Sequence, residues 1–308
     1  MRVIVAGGTG LLGAPLVSRL RMEGHDVTVL TRREGSPERG TQAWQPDGAS
    51  GPWASALDGA DAVVNLAGES IAGRRWNTAR KQQLLDSRLR ATRSLVAAIV
   101  AAPRPPGVLL NASAVGYYGP RGDEVVTEEA GPGRDFLGRL AAAWEAAAGA
   151  ARSERTRVVL LRTGLVLTPE GGALGRMLLP FRLGVGGPLG TGRQYMPWIH
   201  QADWLALAAF LLARPEATGP FNATAPAPVT NAEFSAALGR VLRRPGFMRV
   251  PGTALRLAFG ELADALLTGQ RVVPARAEAL GFRFEWPEIE QALRNLLGRE
   301  GYPSTHVS

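Results

Sequence analysis

Residues 1–33 read MRVIVAGGTGLLGAPLVSRLRMEGHDVTVLTRR, and this stretch decides the fold. Arg2–Ala6 is a short apolar run rich in Val and Ile, the composition of a strand buried in a parallel sheet. Gly7, Gly8, Thr9, Gly10 and Gly13 follow, then an amphipathic run to Glu23 and a second β-rich run, Asp26–Leu30. Strand, glycine turn, helix, strand is one βαβ unit. Gly7 permits the tight turn, Gly10 lets the backbone approach a pyrophosphate, and Gly13 lets the helix pack closely on the strand. The helix N-terminus offers free N–H groups and a positive dipole end to phosphate. A strand before and a helix after are the context that makes a glycine-rich turn a dinucleotide signal. The alternative is a glycine turn that serves packing alone.

The end of the second strand selects the dinucleotide. Enzymes that use NAD place an Asp or Glu roughly 20 residues past the glycines, where it bonds the ribose 2′-hydroxyl. This chain has Thr31-Arg32-Arg33 there. A carboxylate would repel a 2′-phosphate, whereas a guanidinium clamps one with two hydrogen bonds. The expected cofactor is therefore NADP (NADPH), unless the two arginines are only a solvated pair.

The rest of the chain extends the same pattern. Thr41–Gln45 is a candidate third strand, and Asp61–Leu66 a better one, closed by Ala67-Gly68. Asn77–Ala102 has helical periodicity and is stopped by Pro103, Pro105 and Pro106. Val108–Ser113 is the next strand, Phe136–Arg152 an alanine-rich helix, and Arg157–Thr163 a sixth strand. Strands alternating with helices predict an α/β protein, a Rossmann-type doubly wound parallel sheet. From Gly164 the texture changes to a long glycine-rich connection, Gly184–Gly192, followed by Met196-Pro197-Trp198-Ile199-His200. Helices are expected over Asp203–Arg214, Asn231–Leu242 with Asn231 as N-cap, Pro251–Thr268, and Trp286–Leu297 with Pro287 in its first turn. The expected division is a cofactor domain over 1–165, to which about 195–225 returns, and a smaller, mostly helical C-terminal substrate domain over 166–300. The last ten residues are expected to fray.

Composition narrows the function. The chain has 308 residues, 45% hydrophobic and 20% charged, with no cysteine, so disulfide and thiolate chemistry are excluded. The formal charge of +8 is carried almost entirely by arginine, Lys81 being the only lysine, and the arginines form no run or stripe. That pattern argues against nucleic acid as a partner. The chain opens on a core strand, and its longest apolar run, Trp204–Ala213, is too short for a bilayer. A cytoplasmic monomer or homodimer without membrane contact is expected, and no pair of histidines or carboxylates has metal-ligand spacing.

The motifs in combination resemble the extended short-chain dehydrogenase/reductase superfamily, and more narrowly its atypical "epimerase family protein" branch. They include Gly7-Gly8-Thr9-Gly10-Leu11-Leu12-Gly13, Asn65-Leu66-Ala67-Gly68-Glu69, Tyr117-Tyr118-Gly119, Trp144-Glu145-Ala146-Ala147 and Arg162-Thr163-Gly164. Further on, Trp198-Ile199-His200, Thr230-Asn231-Ala232-Glu233-Phe234 and Gly269-Gln270-Arg271-Val272-Val273-Pro274 continue the match. The resemblance implies an NADP-binding fold with a small-molecule substrate cleft between its two parts. It implies that Gly7, Thr9, Gly10, Leu11, Leu12 and Gly13 cradle the cofactor and that Thr31 and Arg32 hold its 2′-phosphate. It further implies that Leu66, Ala67 and Gly68 pass beside it, that Arg88 reaches it from a helix, and that Val166 lines the nicotinamide end.

Standard members of the superfamily use a tyrosine and a lysine four residues later on one helix, where the ammonium lowers the phenol's pKa for proton exchange. Here the residues four past Tyr117, Tyr118, Tyr195 and Tyr302 are Arg121, Gly122, Ile199 and His306, so no such pair exists. The resemblance, anchored on Glu145, puts Leu137 and Ala141 in its place. The substitute candidates are Ser113 at a strand end, Tyr117 just beyond it with Arg121 as a source of positive charge, and His200 in the substrate half. The competing readings are a strand-end cap, aromatic packing and a structural histidine. Two functions stay open: an NADP(H)-dependent oxidoreductase acting on a carbonyl or sugar-like molecule, and a non-catalytic NADP(H)-sensing regulator.

Overall fold

The computed structural model describes residues 1–33, 40–72 and 75–298; the expected fraying of 299–308 lies outside the described residues. The first half runs β1 (Arg2–Ala6), α1 (Gly13–Met22), β2 (Asp26–Thr31), β3 (Thr41–Ala43), β4 (Ala62–Asn65), α2 (Thr78–Ala101) and β5 (Val108–Ala114). Then come β6 (Val125–Val126), α3 (Phe136–Gly149), β7 (Arg157–Thr163), β8 (Leu165–Leu167), α4 (Gly172–Arg182), β9 (Tyr195–Met196) and β10 (Trp198–His200). The chain closes with α5 (Gln201–Ala213), β11 (Gly219–Ala223), β12 (Val229–Thr230), α6 (Asn231–Leu242), α7 (Gly252–Phe259) and α8 (Leu262–Leu267). After these come β13 (Arg271–Val272), α9 (Ala275–Ala279) and α10 (Ile289–Leu296).

Seven strands form one parallel sheet in the order β3-β2-β1-β4-β5-β7-β11. The period-two geometry of a strand sorts β1 between two layers. Val3 and Val5 pack with Leu16 and Leu20 of α1 and Trp204, Leu207 and Leu211 of α5. Ile4 and Ala6 face the other way, onto Ala91, Leu95 and Ile99 of α2. Each fully buried side chain of this kind contributes about 2 kcal/mol, which is why both faces must be covered. The sheet is doubly wound, as the alternating pattern predicts.

Strand order reverses between β1 and β4, and ligands in such sheets bind beyond the carboxyl ends of strands at that point. The register Ala6↔Asn65 sets Gly7 opposite Leu66 there. The edge strand β11 comes after β8, α4, β9, β10 and α5 in the chain and still pairs with β7. A second core joins Leu178 and Phe181 of α4, Phe234, Leu238 and Val241 of α6, and Ile289 and Leu293 of α10. Asp203 of α5 ties the C-terminal segment to the sheet: its carboxylate accepts the N–H groups of Glu285 at 2.8 Å and Trp286 at 3.0 Å.

Three helix boundaries differ from the sequence reading. The N-cap of α6 is Thr230, one residue earlier than Asn231, in a capping box with Glu233. The expected helix over 251–268 breaks into α7 and α8 at Gly260, which takes φ 61°. The last helix begins at Ile289 with Glu288 as N-cap, so Pro287 precedes it instead of standing in its first turn. Among the described residues no helix is long and apolar enough to cross a membrane, and no cluster of side chains could hold a metal ion.

Candidate functional site

A cleft of about 720 Å³ opens beyond the carboxyl ends of β1, β4 and β5, within the size range of small-molecule sites. Gly7, Gly10, Leu11, Leu12, Gly13, Leu66, Gly68 and Arg88 all line it. The three glycines differ in why they lack a side chain. Gly7 takes φ 80°, and a Cβ there would lie 2.7 Å from the Leu66 carbonyl. A Cβ on Gly13 would lie 2.1 Å from the Gly7 oxygen. A Cβ on Gly10 would meet only the Gly7 oxygen, at 3.3 Å. The protein's own packing therefore explains Gly7 and Gly13, while Gly10 leaves a cradle open to the cleft. No side chain caps α1, whose first turn faces the same cradle.

Arg88 is the second feature that fits a phosphorylated cofactor. It is buried, its guanidinium lies 5.1 Å from the Trp144 ring centroid, and Nη1 donates to the Leu84 carbonyl at 3.0 Å. Its Nε meets no acceptor among the described residues. Burial, and then the neighbouring Arg80 charge, pull its pKa down to about 10. A buried cation without a carboxylate is costly unless an anion or an array of acceptors meets it.

The other expected cofactor residues are placed less uniformly. Thr31 ends β2, beside β1, and Arg32 follows it; Arg32 is exposed, and Thr31 Oγ1 accepts the Arg33 N–H at 3.2 Å. Thr9 lies on a neighbouring depression with Gly8 and Val29. Ala67 and Val166 do not line the cleft; both pack against the sheet's cores.

Of the three candidate catalytic residues, only Ser113 reaches the cleft wall. Its hydroxyl donates to Glu145 Oε1 at 2.6 Å. Arg162 holds the same carboxylate with two bonds, Nε–Oε1 and Nη2–Oε2, both 2.8 Å. Arg162 Nη1 also donates to the Tyr118 hydroxyl at 3.0 Å, and that hydroxyl donates to Asn222 Oδ1 at 2.6 Å. Burial works against the Arg162 charge, but Glu145 and Tyr118 outweigh it and hold its pKa above the ordinary value. Burial pushes the Tyr118 phenol up to about 12, only partly offset by Arg162.

Tyr117 does not line the cleft. Its ring lies under the Arg162 guanidinium, 3.6 Å away, and edge-on to Tyr118. Arg121 supplies it no charge: its guanidinium bonds the carbonyls of Tyr118 and Gly131 instead. His200 is likewise outside the cleft lining and 4% exposed. Its Nδ1 accepts the Ala202 N–H at 3.0 Å as the cap of α5, and its Nε2 meets Asn295 Oδ1 at 3.2 Å. These partners require the neutral tautomer protonated on Nε2. Burial lowers the His200 pKa to about 4, so the ring is uncharged at neutral pH.

Leu137 and Ala141 both line the cleft, so an apolar wall stands at the two positions that the resemblance assigns to the missing pair. The sequence reading gave no role to Glu145 and Arg162. Their signal was two opposite charges at otherwise apolar positions, one in RVVLLRT and one in an alanine-rich helix, which can be buried only as partners. Gln194, Tyr195 and Asn231, which line the cleft, were also missed as site residues.

Comparison with known proteins identifies the family and the fold. Residues 3–223 match the model of the NAD dependent epimerase/dehydratase family, and residues 250–296 match a domain of unknown function, DUF1731. An epimerase family protein of Mycobacterium bovis is 46% identical over 302 residues, covering 97% of this chain and 98% of the relative. The human epimerase family protein SDR39U1, solved with NADPH, superposes with a TM-score of 0.89 at 40% identity, covering 97% of this chain and 100% of that one. A Corynebacterium glutamicum structure titled nucleoside-diphosphate sugar epimerase gives 0.80 at 33% identity over 99% of this chain and 59% of that one. The chain belongs to the NAD dependent epimerase/dehydratase family, with the extended short-chain dehydrogenase/reductase fold and a DUF1731 module at its C-terminal end.

Proposed function

We propose that the chain is an NADP(H)-dependent oxidoreductase acting on a carbonyl or hydroxyl group of a small molecule, without a Tyr-x-x-x-Lys pair. The observation that carries the cofactor reading is Gly10, which lines the cleft and where a Cβ would meet, among the described residues, only the Gly7 oxygen at 3.3 Å. Arg88, buried with an unpaired Nε, would meet the cofactor from α2. Thr31 and Arg32 at the end of β2 would hold the 2′-phosphate, in line with the NADPH found in the human relative. Bound NADPH would supply the hydride to the carbonyl carbon, water entering the cleft the proton that the carbonyl oxygen takes up, and the protein the orientation of the substrate.

In this reading Ser113 contacts the substrate oxygen. Its O–H donates to Glu145, which leaves its lone pairs to accept from the substrate hydroxyl, or from the hydroxyl that carbonyl reduction forms. Residues 1–165, with β11, serve as the cofactor-binding half, and the segments from 166 onward as the substrate half. NADPH consumption against a panel of small carbonyl compounds tests the activity. Turnover that falls at least tenfold in Ser113→Ala supports it, and no turnover by the unaltered protein overturns it.

One observation favours a second reading, an NADP(H)-sensing regulator. The wall at Leu137 and Ala141 is apolar, and neither Tyr117 nor His200 reaches the cleft. Tight NADPH binding with no turnover across the panel would select it.

A further inference from the structure

Leu189 is gripped at both ends by side-chain amides. Its N–H donates to Asn231 Oδ1 at 2.7 Å, and its carbonyl accepts from Gln194 Nε2 at 3.0 Å. Gln194 Nε2 donates a second time, to the Leu266 carbonyl at 3.1 Å. The Asn231 N–H donates to the Gln194 carbonyl at 2.8 Å, so the two residues are neighbours. These backbone partners fix which end of each amide is oxygen.

One acceptor and one donor are left over. Gln194 Oε1 is buried and meets no donor among the described residues. Among the described residues Asn231, 2% exposed, directs Nδ2 only at the thioether sulfur of Met196, 3.1 Å away, a weak acceptor. Both residues line the cleft, as does Tyr195, the residue after Gln194. A buried polar group without a proper partner disfavours the fold, so a ligand that fills both positions is strongly rewarded.

We propose that Gln194, Asn231 and Tyr195 form the substrate subsite, and that it takes a neutral, hydroxyl-bearing small molecule rather than a nucleoside diphosphate. The proposal rests on the reading of the cleft as an NADPH and small-substrate site. A vicinal diol or a hydroxy-carbonyl matches the two amides: one hydroxyl donates to Gln194 Oε1 while the adjacent oxygen accepts from Asn231 Nδ2. The Tyr195 phenol makes no hydrogen bond with the described residues, and the Arg271 guanidinium lies 5.4 Å from its ring centroid. The charged side chains among the described lining residues, Glu69, Arg88 and Asp135, all stand on the cofactor half. Arg271, over the Tyr195 ring, does not itself line the cleft, so a diphosphate seated on the two amides would meet no counter-charge among the described lining residues beside them.

The test uses the NADPH-saturated protein and ligand-observed NMR with four probes: D-xylulose, myo-inositol, UDP and UDP-glucose. The expected result is binding of at least one neutral probe. That binding weakens at least tenfold in Asn231→Asp, which keeps the oxygen facing Leu189 but loses the donor, and in Gln194→Met. Tyr195→Phe, which touches neither bond to Leu189, should weaken it severalfold, so a folding defect in the amide variants cannot hide the answer. NADPH affinity should stay within twofold throughout. The proposal is overturned if no neutral probe binds, if binding ignores all three substitutions, or if UDP-glucose binds and responds to them in the same way. Absence of NADPH binding in the unaltered protein would overturn the cofactor reading itself, and the subsite with it.

Discussion

Gly13 packs so closely on Gly7 that a Cβ on it would lie 2.1 Å from the Gly7 carbonyl oxygen, whereas a Cβ on Gly10, three residues earlier, would lie 3.3 Å from the same oxygen. Two alanine substitutions should therefore fail differently. Gly13→Ala forces backbone apart and should cost about 3 kcal/mol of stability, the upper range for overpacking. Gly10→Ala should melt close to the unaltered protein yet bind NADPH at least tenfold more weakly. Thermal melts with and without NADPH read both effects.

The Glu145–Arg162 pair should behave as a buried ion pair. Arg162→Met leaves the Glu145 carboxylate with only the Ser113 hydroxyl, and Glu145→Gln leaves the guanidinium underpaired. Each should destabilise by about 3–5 kcal/mol, and the double variant by less than the sum. Urea unfolding of the three variants measures the coupling.

Arg88→Met should separate stability from binding. Among the described residues no carboxylate bonds the guanidinium, and burial and then Arg80 outweigh Glu69 and lower its pKa to about 10, so its charge weakens the cofactor-free fold. The cofactor-free variant should be as stable as the unaltered protein or more so, while NADPH affinity drops at least tenfold. Loss of stability with unchanged affinity would make Arg88 a packing residue.

His200 sets a pH dependence whose sign follows from its pKa, lowered by burial to about 4. The native state favours the neutral ring, so its contribution is present above the unfolded value of about 6.5 and is lost as pH falls toward 4. In His200→Asn, which retains an α5 cap, the acid side of the stability profile should flatten by up to about 3 kcal/mol. Denaturant unfolding between pH 7 and pH 4.5 on both proteins checks it.

The sheet was legible because each of its features is local. An apolar run at Arg2–Ala6, glycines at 7, 10 and 13, and alternation of strand and helix all follow from nearest-neighbour chemistry. The cap at Thr230 was missed because Asn231 is itself a good cap, and only the Glu233 carboxylate bonding the Thr230 N–H decides between them. The long helix over 251–268 was over-read because a single glycine inside an apolar pattern does not announce the break at Gly260. The catalytic candidates were chosen by residue type, and burial then withdrew two of them from the cleft: Tyr117 lies under Arg162, and His200 is committed to Ala202 and Asn295. Gln194 and Asn231 could not be chosen from spacing, because their meaning lies in which amide atoms Leu189 occupies and which it leaves.

The most direct measurement of the central claim is the affinity of the protein for NADPH and for NADH, compared with Arg32→Ala. NADPH should bind at least tenfold more tightly than NADH, and the preference should collapse in the variant through loss of NADPH affinity alone. Equal affinities in the unaltered protein, or a preference that survives Arg32→Ala, would contradict the account.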